Sequence, residues 1–93
     1  MKIVIVGAGK VGYSLAQRLI QDDHDVYVID RSPERIHNLE NTLDVSLVLG
    51  NGSDVQLLNE IDMSDVGMFI AVTDSDEVNM LSCSVAKIKG VPT

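Results

Sequence analysis

Gly7-Ala8-Gly9-Lys10-Val11-Gly12 has the spacing G-x-G-x-x-G and lies between the apolar run Ile3–Val6 and a helical pattern. The chemistry such a loop supports is the cradling of a diphosphate. The first glycine permits a tight turn out of a strand. The second lets the backbone approach a pyrophosphate, and the third lets a helix pack closely on a sheet. The helix that follows offers unpaired N–H groups and the positive end of its dipole. A glycine-rich tight turn with no ligand is the other reading of the same residues, and the motif alone does not separate the two.

Asp30 weighs toward the cradle. It ends the second apolar run, 18 residues after Gly12, where a carboxylate can accept from the 2′- and 3′-hydroxyls of a ribose. A 2′-phosphate would meet a like charge there, which favours NAD(H) over NADP(H). The neighbouring Arg31 softens that discrimination. Lys10 reads either as a phosphate contact, in its own site or a neighbouring subunit's, or as a solvated lysine on a first helical turn.

Two further clusters follow later strands. In "GNGSD" (Gly50–Asp54), Asn51, Gly52 and Ser53 are expected to border an adenine. In "TDSDEVN" (Thr73–Asn79), Thr73 and Asp74 are expected beside the ribose and phosphate. Helix capping is the competing explanation. Ser53 with Gln56, and Asp74 with Glu77, both have the spacing of a capping box.

The elements that must position these residues alternate strand and helix four times. Ile3–Val6 is continuous and β-branched, as in a parallel strand buried on both faces. Val11, Leu15 and Leu19 give a helix over Lys10–Gln21. Val26–Asp30 is a second strand. Ser32 and Pro33 start a second helix, with Ile36, Leu39 and Leu43 as its stripe. Val45–Gly50 is a third strand, and Val55, Leu58 and Ile61 mark a short third helix. Val66–Thr73 is the fourth strand. A last helix over Ser75–Lys89 is expected to bury Val78, Leu81, Val85 and Ile88. Right-handed crossovers then give a doubly wound, Rossmann-like parallel sheet in the order 3-2-1-4. Such a sheet normally has six strands. Residues 1–93 are therefore expected to be a nucleotide-binding domain incomplete before strands 5 and 6, with Phe69 and Ile70 on an exposed strand edge.

Composition narrows the function. The chain has 14 acidic and 7 basic residues and a net charge of −7, and its lysines and arginines are scattered, which argues against a nucleic-acid surface. The single Cys83 cannot form an internal disulfide, so a reducing cytoplasm is expected. Cys83 itself reads as a small packed residue. No apolar run approaches the ~20 residues of a membrane helix, so any action at a membrane must pass through a partner. His24 and His37 lack metal-spaced companions, and the Asp22, Asp23, Asp25 turn reads as solvated. No nucleophile, acid–base pair or metal set assembles.

The stretches "MKIVIVGAGKVGYSLAQRL", "VYVIDRSPERI" and "LVLGNGSDVQLLNEIDMSDVGMFIAVTDSDEVNMLSCSVAK" together resemble the N-terminal nucleotide-binding domain of Trk-type potassium uptake regulators, the TrkA or KTN/RCK family. The resemblance covers essentially the whole chain, and "AVTDSDEVN" carries most of it. It implies a non-enzymatic cytoplasmic regulator that binds NAD(H) or ATP/ADP. It also implies a dimer or higher ring on the inner face of a membrane-embedded potassium transporter, with ligand exchange altering the dimer geometry. By position, Gly7, Gly9 and Gly12 would hold the phosphates, Asp30 the ribose, and Arg31 would lie nearby. Asn51, Gly52 and Ser53 would border the adenine, and Thr73 and Asp74 the remaining edge. Lys10 stands where some members carry a phosphate-touching arginine. The competing class is the cofactor-binding fragment of an NAD-dependent dehydrogenase, and a third is an assembly domain with an empty site.

Overall fold

The structure, a computed structural model, describes all residues Met1–Thr93. The strands are β1 (Lys2–Val6), β2 (Asp25–Asp30), β3 (Ser46–Leu49) and β4 (Val66–Ala71). The helices are α1 (Lys10–Gln21), α2 (Pro33–Glu40), α3 (Val55–Glu60) and α4 (Asp76–Ile88), with a 3₁₀ turn at Met63–Asp65. The sheet is parallel, in the order β3-β2-β1-β4. β1 is central: Ile5 lies opposite Val28 on one side and Ile70 on the other.

A strand with neighbours on both edges and helices on both faces must be apolar throughout, and Ile3–Val6 are all buried. Their alternation divides the core. Ile3 and Ile5 pack with Ala16 of α1 and Leu39 of α2. Val4 and Val6 pack with Leu58 of α3 and Ala86 of α4. The helices therefore cover the two faces in pairs, as a doubly wound sheet requires.

Several local expectations change. Val11 is exposed, and α1 buries Gly12 and Ala16 instead. α2 stops at Glu40, so Leu43 packs from the turn beyond it. β3 and β4 are each shorter than their apolar runs. In α4 the buried positions are Ser82 and Ala86, whereas Leu81, Cys83 and Ile88 are exposed. Val78 and Val85 pack half-buried against the core as expected. The edge of β4 is partly satisfied: Phe69 is buried and its N–H donates to Thr93 O at 2.7 Å.

The caps also differ. Asp54 caps α3, its carboxylate accepting from Gln56 N at 3.0 Å. Ser75 caps α4, its Oγ accepting from Val78 N at 3.2 Å. The boxes expected at Ser53/Gln56 and Asp74/Glu77 do not form, because in both loops the helix starts one residue later. Ser32 caps α2 as expected, accepting from Arg35 N.

At the amino edge of the sheet, Lys2 Nζ donates to Asp62 O at 2.8 Å and to Asp65 Oδ1 at 3.0 Å, and lies 4.7 Å from the Tyr27 ring centroid. Burial pushes the ammonium pKa down, but the hydrogen bond and charge of Asp65, aided by Tyr27 and Asp62, outweigh it and hold the pKa above its ordinary value. A raised folded pKa means a contribution complete below the ordinary lysine range and lost as pH rises through the folded value. Lys2→Met is therefore expected to lose about 0.5–1 kcal/mol at neutral pH and to show a shallower stability decline above about pH 10. Urea melts at several pH values check both, and parallel alkaline limbs for the two proteins would remove this role.

Candidate functional site

The carboxyl edge of the sheet carries the loops that matter. The chain steps from β1 out to β2 and β3, then crosses over the opposite face to place β4 on the other side of β1. Successive connections diverge there and leave a crevice, the usual ligand position of an open parallel sheet.

The three glycines of the loop do different work. Gly7 has φ +116, and its N–H donates to Ile29 O at 2.8 Å. A Cβ on it would lie 2.8 Å from Val72 O. A Cβ on Gly12 would overlap Gly7 O, far inside van der Waals contact distance. The fold demands both glycines. Gly9 is different: it is extended (φ −73, ψ −165), and a Cβ would meet nothing closer than the Arg35 guanidinium at 3.8 Å. Nothing within the chain requires that position to lack a side chain. Gly9 is also the N-cap of α1, so the first N–H groups of the helix have no side-chain cap.

Asp30 ends β2 and is buried. Its Oδ2 accepts from Ala8 N at 2.7 Å and its Oδ1 from Ser32 N at 2.8 Å. One carboxylate thus ties the glycine loop to the start of α2. Each oxygen keeps a second lone pair for an outside donor. The sequence reading placed Asp30 at a ribose but did not foresee this anchoring of the loop.

Asp30, Arg31, Gly52, Thr73 and Asp74 line one cleft of about 360 Å³, together with Arg35. Thr73 is held by its own loop: Asn79 Oδ1 accepts from its N–H at 3.0 Å and lies 2.6 Å from its Oγ1, while Asn79 Nδ2 donates to Thr73 O at 3.1 Å. Gly52 is buried against Val6, whose methyl groups leave no room for a Cβ. Its absence of side chain therefore has a packing cause. Asn51 and Ser53 are not in the cleft. Asn51 Oδ1 accepts from Ser53 N at 2.9 Å and from Ser53 Oγ at 2.8 Å, which shapes the β3–α3 turn. Ala8, Gly9 and Lys10 open on a second hollow of about 400 Å³, beside Tyr13. Val11 lies exposed beyond it.

Arg35 was missed. It sits in the first turn of α2, its guanidinium 3.7 Å from Asp30 Oδ2 and 4.0 Å from Asp74 Oδ2. It is the one residue that lines both hollows. The signal was available: a cation in the first turn of a helix opposes the helix dipole and calls for another reason. Asn79 also went unassigned, although it closes the quoted "TDSDEVN".

Fold and cleft together define a Rossmann-like α/β domain with a glycine loop at its switch point. The chain belongs to the TrkA-N domain family, which matches residues 3–93. It is 44% identical over 86 residues to the Trk system potassium uptake protein TrkA of Halomonas elongata, covering 92% of this chain and 19% of that protein. Against the TrkA of Azorhizobium caulinodans the identity is 45% over 94 residues, covering 100% of this chain and 20% of the relative. A TrkA homolog of Methanothermobacter thermautotrophicus is 39% identical, with 99% and 43% covered. The chain spans about a fifth of the length of the first two relatives. Among solved structures, the NAD(P)-binding domain of an exopolyphosphatase-related protein from Archaeoglobus fulgidus superposes with a TM-score of 0.83 at 20% identity, covering 95% of this chain and 65% of that one. The TrkA-N domain of the inner membrane protein YbaL from Escherichia coli gives 0.63 at 19%, covering 98% and 83%. At these identities the likeness establishes the fold.

Proposed function

We propose that residues 1–93 form a regulatory nucleotide-binding module that takes NAD(H), or ATP/ADP, and acts without turnover as part of a potassium uptake system. Gly9 carries this reading: it is the loop glycine that no internal contact explains, and it faces open space at a helix N-terminus. A diphosphate approaching Gly9 would find the free N–H groups of α1. Asp30, already aligned by Ala8 and Ser32, would accept ribose hydroxyls. Arg31 would flank the ribose, Gly52 would border the adenine, with Asn51 and Ser53 shaping the β3–α3 turn behind it, and Thr73 and Asp74 would form the opposite wall. Lys10 would meet phosphate from the outer rim or from a neighbouring subunit.

In this proposal the module works on a membrane-embedded transporter from the cytoplasmic side, as a homodimer or larger ring. The names of the TrkA relatives support the transporter partner. No helix here is long and apolar enough to cross a membrane, which fits attachment through that partner. Met80, Leu81 and Ile88 are exposed on α4, apolar surface of the kind that marks assembly contacts. A ligand can shift such an assembly only by the difference in its affinity for two geometries.

Calorimetric titration with NAD+, NADH, NADPH, ATP and ADP tests the binding. NADH or an adenine nucleotide should bind, and NADPH should bind more weakly than NADH because its 2′-phosphate faces Asp30. Asp30→Ala should weaken binding by about 1.5–3 kcal/mol, the range for a hydrogen bond to a charged group. It should also lower stability by about 1–3 kcal/mol, since Ala8 N and Ser32 N lose their acceptor. Binding of none of the five ligands would sink the proposal, and unchanged affinity in Asp30→Ala would remove Asp30 from the site.

A further inference from the structure

We propose that Arg35 is the diphosphate-recognising side chain of this site, held by Asp30 and Asp74 until a ligand takes it; this deepens the nucleotide reading and rests on it. Two hollows flank the glycine loop. One holds Asp30, Gly52 and Thr73, and the other opens at Ala8 and Gly9. A ligand that engages both Asp30 and Gly9 must pass between them, and the Arg35 side chain stands at that passage. Its guanidinium nitrogen lies 3.8 Å from where a Gly9 Cβ would be, so it already borders the space in front of the loop.

The charge balance points the same way. The domain carries a net charge of −7, and Asp30 and Asp74 place two carboxylates at the cleft. A diphosphate entering there needs a cation. Lys10 lines the hollow at the glycine loop but not the one at Asp30, and Arg31 lines the one at Asp30 but not the one at the loop. Arg35 alone reaches both carboxylates and the glycine loop.

Its present partners hold it loosely. Both ion pairs are long, at 3.7 and 4.0 Å; the Arg35 side chain is 47% exposed and that of Asp74 is 99% exposed. The Asp74 pair, exposed on both sides, contributes little and is readily exchanged for a bidentate contact with phosphate oxygens; Asp30 is buried but already accepts from Ala8 N and Ser32 N, so it keeps partners when the guanidinium turns. The backbone N–H of Arg35 donates to Ser32 Oγ, and the guanidinium is fixed by the two long ion pairs alone. On ligand entry it would leave Asp74, at the start of the loop that leads into α4.

The test compares a ligand with and without the diphosphate. Adenosine binding is followed by amide chemical shifts, which read millimolar affinity, and ADP and NADH by calorimetry, on wild type, Arg35→Ala and Arg35→Lys. Arg35→Ala should weaken ADP and NADH about 10- to 100-fold, the range for a lost hydrogen-bonding partner of a charged group, and leave adenosine within about threefold. Arg35→Lys should recover part of the loss, since it keeps the charge without the planar fork. An equal loss for adenosine and ADP would overturn the assignment and show that Arg35 acts by steadying Asp30. Unchanged ADP affinity in Arg35→Ala would overturn it as well. A wild type that binds neither ligand would end the nucleotide reading itself, and the assignment of Arg35 with it.

Discussion

Gly9→Val is expected to fold as wild type does and to lose nucleotide binding. The backbone at Gly9 is extended, a conformation that a β-branched residue adopts readily. A Cβ there meets only the end of a flexible arginine at 3.8 Å. Thermal melts should therefore agree within about 2 °C, which for a domain of this size is under about 0.5 kcal/mol. The two γ-methyls, however, would stand where a phosphate must come to reach the N–H groups of α1. Losing two charged hydrogen bonds at about 1.5–3 kcal/mol each weakens affinity roughly 100-fold or more. Calorimetry on NADH and ADP, with circular dichroism as the folding control, reads both halves. Normal binding by Gly9→Val would mean that no ligand approaches this loop, and the cradle would be a turn.

Gly12→Ala should do the reverse and damage the fold. By helix propensity alone, alanine inside α1 would gain about 1 kcal/mol over glycine. Packing decides the sign instead. The new methyl would overlap Gly7 O, and that carbonyl cannot yield easily: Gly7 is fixed by its N–H bond to Ile29 O, its positive φ and the Val72 backbone against it. α1 must then move off the end of β1, which loosens Ala16 in the core beneath. Overpacking of this kind costs about 1–3 kcal/mol and sometimes more; a backbone obstacle belongs at the upper end. Set against the propensity gain, the net loss is about 2 kcal/mol, a Tm lower by roughly 8–16 °C. A Tm drop below about 4 °C would show that the loop has slack and that the third glycine is not a packing requirement. The two variants together separate the roles within one motif: one glycine serves the outside, the other the inside.

What the sequence determines by itself is the architecture and the sheet edge at which the glycine loop and Asp30 meet. Period and alternation suffice for that, because a parallel strand buried on both faces must be continuously apolar and each helix must turn one stripe to the sheet. Ile3–Val6, the glycine loop and Asp30 are legible for this reason, and the order β3-β2-β1-β4 follows from the handedness of the crossovers. Only the tertiary structure decides the rest. Which face of α4 is buried depends on how closely the helix can approach β4, so Ser82 and Ala86 go inward while Leu81 and Ile88 go out. Which residue caps a helix depends on where the loop releases the chain, so Asp54 and Ser75 replace Ser53 and Asp74. Most of all, Arg35 meets Asp74 across 39 residues of sequence, and Asp30 meets Ala8 across 22. Contacts of that span are made by the folded sheet edge, where separate loops converge. No local pattern encodes them, and they turn a recognisable motif into a particular site.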